Sequence, residues 1–182
     1  LSWETKGLRC PDMKVDFDQN KKIHFVQMPN GTGKTTIINL IKHTLSNNWE
    51  NIDVNDFEDE FRDIKKGEFK LSIQSKINNK KNQIVFKVNL DFSDGSFDVK
   101  TTSGRQGERD GFKPTEEIEA FITDKHIRTF IFEGDKLGSY FSPKQDIAID
   151  TIDTFSGISK ISDLEDRLQN TFKEMKRGAI GN

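Results

Sequence analysis

The amino-acid sequence predicts an α/β fold, and three features of the chain support this prediction. Residues 27–36 form a glycine-rich turn between a short apolar run and a stretch with the apolar spacing of a helix. Residues 68–100 alternate apolar and polar side chains with the period of a β-strand, which predicts an antiparallel β subdomain. Residues 161–175 carry a narrow apolar stripe that is typical of a helix at the entry to a coiled coil.

The glycine-rich turn reads Gln-Met-Pro-Asn-Gly-Thr-Gly-Lys-Thr-Thr and lies between a predicted strand at 22–27 and a predicted helix at 34–45. This order of strand, turn and helix is the context that a phosphate-binding loop, or P-loop, requires. Gly31 and Gly33 allow the backbone to turn its N–H groups inward, where they and the helix N-terminus favour phosphate oxygens.

Two side chains of the turn suit a bound polyphosphate. Lys34 is placed for the β- and γ-phosphates, and the hydroxyl group of Thr35 is placed for Mg²⁺. The sequence departs from the full P-loop pattern at one position, because Met28 stands where the first glycine is usual. That change lies at the entrance of the loop and not at the phosphate cradle. We therefore predict that residues 28–36 bind ATP or GTP together with Mg²⁺.

The composition is that of a globular domain with a polar surface. Hydrophobic and charged residues each make up 32% of the 182 residues, and the net charge of −2 gives no global attraction to nucleic acid. The single cysteine, Cys10, excludes an internal disulfide and a Cys-x-x-Cys metal site, and it suits the cytoplasm. No apolar run approaches the length of a membrane span. Because residue 1 is leucine, we expect the natural start to lie upstream.

Apolar periodicity and turn residues predict the other elements of the chain. The acidic residues 53–63 are predicted to form a solvated helix or loop, and residues 101–111 a mobile loop without an apolar anchor. The predicted hairpin turns of the β subdomain are Asn78-Asn79 and Ser93-Asp94-Gly95. The remaining predictions are strands at 3–8, 14–17 and 129–132, the last one buried, and helices at 114–122, 147–155 and 161–175.

The chain offers only part of what ATP hydrolysis needs. P-loop enzymes use a second carboxylate near Mg²⁺, usually an aspartate that ends an apolar strand. The nearest match is Phe130-Ile131-Phe132-Glu133, which ends in glutamate and is followed by Gly134. We interpret Glu133 as an acid that faces the metal or the attacking water, although it could equally cap the end of a strand. The sequence thus predicts the nucleotide-binding half of an active site.

Several of these segments resemble the ATPase heads of the structural maintenance of chromosomes (SMC) class, which belong to the ATP-binding-cassette (ABC) type. Residues 29–36 are similar to the Pro-Asn-Gly-x-Gly-Lys-[Ser/Thr] variant of the P-loop in those heads. Lys6-Gly7-Leu8-Arg9 looks like the turn where they place an arginine that contacts the nucleotide phosphates. Residues 130–135 resemble their Q-loop segment, with an acid in place of glutamine.

The Q-loop-like segment, residues 130–135, resembles that of one particular family among these heads. A Phe-Phe-Asp-Gly-Glu type of segment is associated with DndD, the ATPase of DNA phosphorothioation systems, and with SbcC-like phage-defence ATPases. Residues 148–168 are similar to the helix, Gly-Leu turn and coiled-coil entry of that family. The chain therefore resembles the N-terminal half of an SMC/SbcC-like head, closest to the DndD-like ATPases.

The resemblance implies a domain organisation and a set of site residues. Residues 1–158 would be the N-terminal lobe, residues 159–177 the start of the coiled-coil helix, and residues 178–182 a linker or a truncation end. Lys34 and Glu133 would be catalytic, and Thr35 and Glu133 would bind Mg²⁺. The nucleotide-binding residues would be Arg9, Asn30, Gly31, Thr32, Gly33, Lys34, Thr35 and Thr36.

The resemblance also implies partners. The C-terminal half of the same head would complete the ATPase, so that this chain alone binds nucleotide with negligible hydrolysis. Two heads would form a homodimer around two ATP molecules. The full-length protein would bind DNA and would have a nuclease or other defence-system subunits as partners. The resemblance implies no membrane partner. Two alternatives stay open: a nucleotide-sensing subunit without hydrolysis, and a free-standing P-loop kinase whose lid would contain Arg105 and Arg109.

Overall fold

The computed structural model describes residues 1–77, 80–104, 107–119, 122–123, 126–127, 130–131, 156, 164–165 and 167–172. The chain divides into two compact units, Leu1–Ile127 and Arg128–Asn182. The first unit contains the glycine-rich turn and all of the strands named below.

The first unit combines strands with few helices. Its helices are α1 (Lys34–Ser46), a 3₁₀-helix (Val54–Phe57) and α2 (Glu116–Glu119). Its strands are β1 (Ser2–Lys6), β2 (Met13–Asp16), β3 (Lys66–Ile77), β4 (Lys80–Asp91), β5 (Ser96–Ser103) and β6 (Glu108–Asp110). The three strands predicted within 68–100 are confirmed, although they extend to 66 and 103, and so is the turn at 93–95. The two N-terminal strands are confirmed as well, with ends shifted by one or two residues.

The six strands form one sheet in the order β2-β1-β3-β4-β5-β6. Every pairing between the described strands is antiparallel, and β1 pairs directly with β3. The N-terminal strands and the predicted β subdomain therefore belong to a single sheet. The P-loop NTPase fold of an ABC/SMC-type head lobe stays a prediction.

One face of the sheet packs against α1. Thr5, Phe69, Val88 and Val99 lie side by side across four strands, and all of them are buried. Leu40 of α1 belongs to the same apolar cluster and is fully buried. Burial of a side chain of this size contributes about 1.5–3 kcal/mol, so this row fixes α1 on the sheet.

The helix α1 begins and ends where the sequence predicts. It starts at Lys34, after Gly33 in the left-handed conformation. It ends before Asn47, which is also left-handed, and whose N–H donates to the carbonyl oxygen of His43. The acidic residues that follow contain only the 3₁₀-helix, in agreement with a solvated helix or loop, but Val54 and Phe57 are buried in the core.

The predicted strand at 22–27 is wrong, because this segment pairs with none of the described strands. Its apolar side chains are exposed: Ile23 is 71% and Phe25 is 95% accessible. β-branched and aromatic residues favour a strand only where a neighbouring strand accepts their backbone hydrogen bonds. Among the described residues of the first unit, no strand provides this neighbour.

The predicted mobile loop at 101–111 is also wrong over its described part. β5 extends to Ser103 and β6 spans Glu108–Asp110. Thr101 is fully buried; its hydroxyl donates to the carbonyl oxygen of Gly111 over 2.7 Å and accepts the N–H of Lys113 over 3.0 Å. Hydrogen bonds of a buried polar side chain thus replace the apolar anchor that the sequence lacks.

In the second unit, the structure describes few positions. Residues 164–165 and 167–172 are helical, which confirms this part of the predicted helix, and Leu164, Leu168 and Phe172 of its apolar stripe are exposed. Phe130 was predicted in a buried strand, but it has a helical conformation and is 55% exposed. The other predictions here, including Glu133 and residues 132–135, the helix at 147–155 and the ends of the coiled-coil segment, lie outside the described residues.

Candidate nucleotide-binding site

The glycine-rich turn has backbone conformations that need glycine. Gly31 and Gly33 have φ angles of 80° and 83°, in the left-handed region that residues with a Cβ atom rarely adopt. A Cβ atom added to Gly31 would meet nothing within 4 Å, so this side of the turn is open. The turn leads directly into the N-terminus of α1, where backbone N–H groups have no partner within the helix. This arrangement suits an anion such as a phosphate group.

Lys34 folds over the mouth of the turn. Its Nζ atom donates to the carbonyl oxygens of Met28 at 3.1 Å and Pro29 at 3.0 Å, and to Oδ1 of Asn30 at 3.0 Å. The hydroxyl group of Thr32 donates to the same carbonyl oxygen of Pro29 at 2.7 Å. The lysine ammonium group and the amide of Asn30 therefore lie together above the turn, both exposed to solvent.

The backbone at residue 28, where the pattern has its first glycine, accommodates the side chain of methionine. Its side chain is half-buried and packs against the apolar core under the turn. The φ angle of Met28 is not positive, so a side chain at this position brings no backbone strain. The methionine anchors the entrance of the turn while the two later glycines keep the cradle open.

The two threonines that follow Lys34 lie in the first turn of α1, with Thr35 exposed and Thr36 half-buried. The hydroxyl group of Thr35 is thus accessible to a metal ion that accompanies a phosphate. Among the residues that the structure describes, no group of three or more His, Cys, Asp and Glu side chains could hold a metal. Thr35 fits as one Mg²⁺ ligand, and the other predicted ligand, Glu133, lies outside the described part.

The backbone of Arg9 lies beside the turn, while its predicted contact with nucleotide phosphates stays a prediction. An added Cβ atom on Gly33 would lie 2.6 Å from the carbonyl oxygen of Arg9 and 2.6 Å from Cβ of Cys10. The N–H of Arg9 donates to the carbonyl oxygen of Phe57 at 2.8 Å, and its side chain is exposed. The structure therefore brings the main chain of Arg9 against Gly33 of the turn.

No family model matches this chain, and no curated protein matches it. The resemblance to SMC-type heads therefore rests on the sequence alone. None of the helices in the described residues is long and apolar enough to cross a membrane.

Arg62 is a part of this region that the sequence did not reveal. Its guanidinium group donates to the carbonyl oxygens of Leu8 at 2.7 Å and Cys10 at 2.9 Å, on either side of Arg9. Its hydrogen bond to Asp59 is the main reason why the pKa of that carboxyl group is lowered. An arginine within an acidic, polar stretch reads as a solvated charge, so no sequence signal marks it.

Two other features lie apart from the turn. An open cleft of about 620 Å³ at one end of the sheet is lined by residues that include Gly7, Asp12 and Phe97, but by none of the predicted site residues. Arg109, the described arginine of the proposed kinase lid, lies in β6 and donates to the hydroxyl of Ser103 and the carbonyl of Lys113. An arginine held in the sheet in this way is poorly placed to act from a mobile lid.

Proposed function

We propose that this chain binds ATP and Mg²⁺ as the N-terminal half of an SMC/SbcC-like ATPase head that acts in DNA processing, DNA modification or anti-phage defence. The observation that carries the proposal is the turn at 28–36. Gly31 and Gly33 are left-handed, Lys34 lies over the turn, and the N-terminus of α1 follows it. These groups together favour the binding of a negatively charged triphosphate.

The segment before the turn supports the proposal that another part of the protein completes the site. Residues 22–27 pair with no described strand, and their apolar side chains Ile23 and Phe25 are 71% and 95% exposed. Exposed apolar segments with free backbone groups favour pairing with another strand. We propose that the C-terminal half of the head supplies this strand together with the carboxylates that hydrolysis needs.

In this proposal, ATP holds two heads together as a homodimer, and ATP hydrolysis releases them. The energy difference between the two states comes from contacts to the γ-phosphate. DNA and further defence-system subunits would bind the full-length protein, which we place in the cytoplasm. No charge pattern in the described residues supports DNA binding by this chain itself, whose net charge is −2.

Hydrolysis measurements test the proposal that this chain binds ATP and that only the complete head hydrolyses it. We expect the 182-residue chain to bind ATP and to hydrolyse it negligibly, and we expect hydrolysis to appear when the full-length protein is used with DNA. Efficient hydrolysis by this chain alone, lost in Lys34→Ala, would contradict the half-site proposal. ATP binding by the full-length protein without hydrolysis would instead support a nucleotide-sensing subunit.

A further inference from the structure

The residues around Arg9 form a short connection between β1 and β2, residues 7–12, that is held from one side by Arg62. Nη2 of Arg62 donates to the carbonyl oxygens of Leu8 and Cys10, over 2.7 and 2.9 Å. Because these two carbonyl groups flank Arg9 in the chain, the guanidinium group holds the backbone on both sides of it. The side chain of Arg62 is 36% exposed, so water competes only partly for these bonds.

The other nitrogen atoms of Arg62 are bound as well. Nε donates to Oδ2 of Asp59 at 2.5 Å, and Nη1 lies 3.4 Å from Oδ1 of Asp12. The same oxygen of Asp12 accepts the N–H of Gly7 at 2.8 Å. Asp59 thereby orients the guanidinium group, while Asp12 joins it to the start of the connection. A planar fork with five N–H donors can make these contacts at once, which the ammonium group of a lysine cannot.

On its other side, the connection touches the P-loop. The carbonyl oxygen of Arg9 and the Cβ atom of Cys10 each leave only 2.6 Å for an added Cβ atom at Gly33, the residue that precedes α1. Backbone therefore lies directly on backbone at this point. A displacement of residues 8–10 would move Arg9 relative to the turn at 28–36.

We propose that Arg62 is a positioning residue, which clamps residues 7–12 against the N-terminus of α1 and so directs the side chain of Arg9 toward the nucleotide phosphates. This inference rests on the proposed nucleotide binding. Arg62 itself does not touch the nucleotide. Its removal takes one donor away from two carbonyl groups and two carboxylates at once, which loosens the hold on the connection beside Gly33.

Cys10 provides a direct readout of the clamp. It is the single cysteine of the chain, it is 4% exposed, and burial raises the pKa of its thiol group. Its own carbonyl oxygen accepts a hydrogen bond from Arg62, and its Cβ atom lies against Gly33. Reaction of this thiol with Ellman's reagent is therefore slow while the clamp is closed and becomes faster when the clamp opens.

The experiment measures two quantities on Arg62→Ala, Arg62→Lys and the wild-type chain: the rate of thiol reaction and the affinity for Mg-ATP. We expect Arg62→Ala to react roughly tenfold faster and to bind ATP roughly tenfold more weakly, with Arg62→Lys in between. Arg109→Ala is the matched control, since this arginine also donates to a main-chain carbonyl, that of Lys113, but lies in β6. We expect both quantities to stay at the wild-type value in the control.

The two readouts separate failure of the clamp from failure of the proposed function. Unchanged thiol reactivity and ATP affinity in folded Arg62→Ala or Arg62→Lys would overturn the clamp. Faster thiol reaction in a chain whose wild type binds no ATP would overturn the proposed function and reduce Arg62 to a structural role. Faster thiol reaction with unchanged ATP affinity would likewise overturn the positioning of Arg9. If Arg62→Ala does not fold, Arg62→Lys decides, with thermal unfolding as the check on both.

Discussion

The backbone of Arg9 lies directly on Gly33, so that a Cβ atom at residue 33 would come within 2.6 Å of the Arg9 carbonyl oxygen. This contact joins two predicted site residues that are 24 positions apart in the sequence. The turn needs glycine at this position for two separate reasons. The φ angle of Gly33 is 83°, and the space for a side chain is already occupied.

Replacement of Gly33 tests this contact. We expect Gly33→Ala to lose about 1–2 kcal/mol of stability from its left-handed backbone, and about 1–3 kcal/mol more from the contact with Arg9 and Cys10. Gly95→Ala is the matched control, because Gly95 has a φ angle of 71° but nothing within 4 Å of an added Cβ atom. Urea unfolding followed by the fluorescence of the buried Trp3 and Trp49 measures both variants. Equal losses in the two variants would contradict the contact.

The role of Met28 can be tested by restoration of the usual glycine. We expect Met28→Gly to lower the free energy of unfolding by about 1–3 kcal/mol, because the half-buried side chain packs against the core. ATP affinity should stay unchanged, since the cradle at Gly31 and Gly33 is not altered. Met28→Leu, which keeps most of the volume, is the control and should cost less than about 1.5 kcal/mol. A large loss of ATP affinity in a folded Met28→Gly variant would argue against this role.

The hydroxyl group of Thr101 anchors the segment that follows β5. Thr101→Val removes a donor to Gly111 and an acceptor for the N–H of Lys113, and it leaves both main-chain groups without this partner. We expect a loss of about 1–3 kcal/mol in urea unfolding. Thr102→Val, on the opposite face of the same strand and only half-buried, should change stability by less than about 0.5 kcal/mol. Similar stabilities of the two variants would favour a loosely held segment instead.

Stability should fall in acid because of two carboxyl groups. The hydroxyl of Ser93, and then Lys66, lower the pKa of Asp91 from 3.8 to about 2, and Arg62 lowers the pKa of Asp59. A lowered pKa in the folded state stabilises the protein above the pKa of the unfolded state, and that contribution is lost as the pH falls through the folded-state value. We therefore expect thermal stability to decrease between about pH 4 and pH 2.

Asp91→Asn checks the origin of this pH dependence. The variant lacks the titrating group, so its melting temperature should fall less steeply over the same pH range than that of the wild type. Asp63→Asn, at a 94% exposed side chain, is the control and should follow the wild-type curve. An Asp91→Asn curve parallel to that of the wild type would show that the acid loss arises elsewhere.

Much of the fold could be predicted because the decisive patterns are local. The alternation of Phe69, Leu71 and Ile73 predicts β3, and Asn47 marks the end of α1. The failures depend on distant partners. Phe25 has the side chain of a strand residue, but no local signal tells whether a neighbouring strand exists. Thr101 is held by polar groups ten and twelve residues away, which apolar periodicity cannot detect.

The residues of the candidate site in the turn could be predicted from local sequence, whereas Arg62 could not. Glycine and lysine at 31, 33 and 34 carry their chemistry in their spacing, and the proximity of Arg9 followed from a resemblance. Arg62 could not be predicted, because its partners Leu8 and Cys10 are 54 and 52 residues away and offer only main-chain oxygens. Every residue has a main-chain carbonyl group, so the sequence does not show which of these groups accepts a hydrogen bond from an arginine.

Nucleotide titration of the 182-residue chain tests the central claim most directly. Isothermal titration with Mg-ATP should show one bound nucleotide per chain, and Lys34→Ala should weaken binding at least roughly tenfold, because a charged hydrogen bond to phosphate is lost. Lys70→Ala, an exposed lysine on the far face of the sheet, should bind like the wild type. Absence of binding by the folded wild type, or equal affinity in Lys34→Ala, would contradict a triphosphate site at residues 28–36.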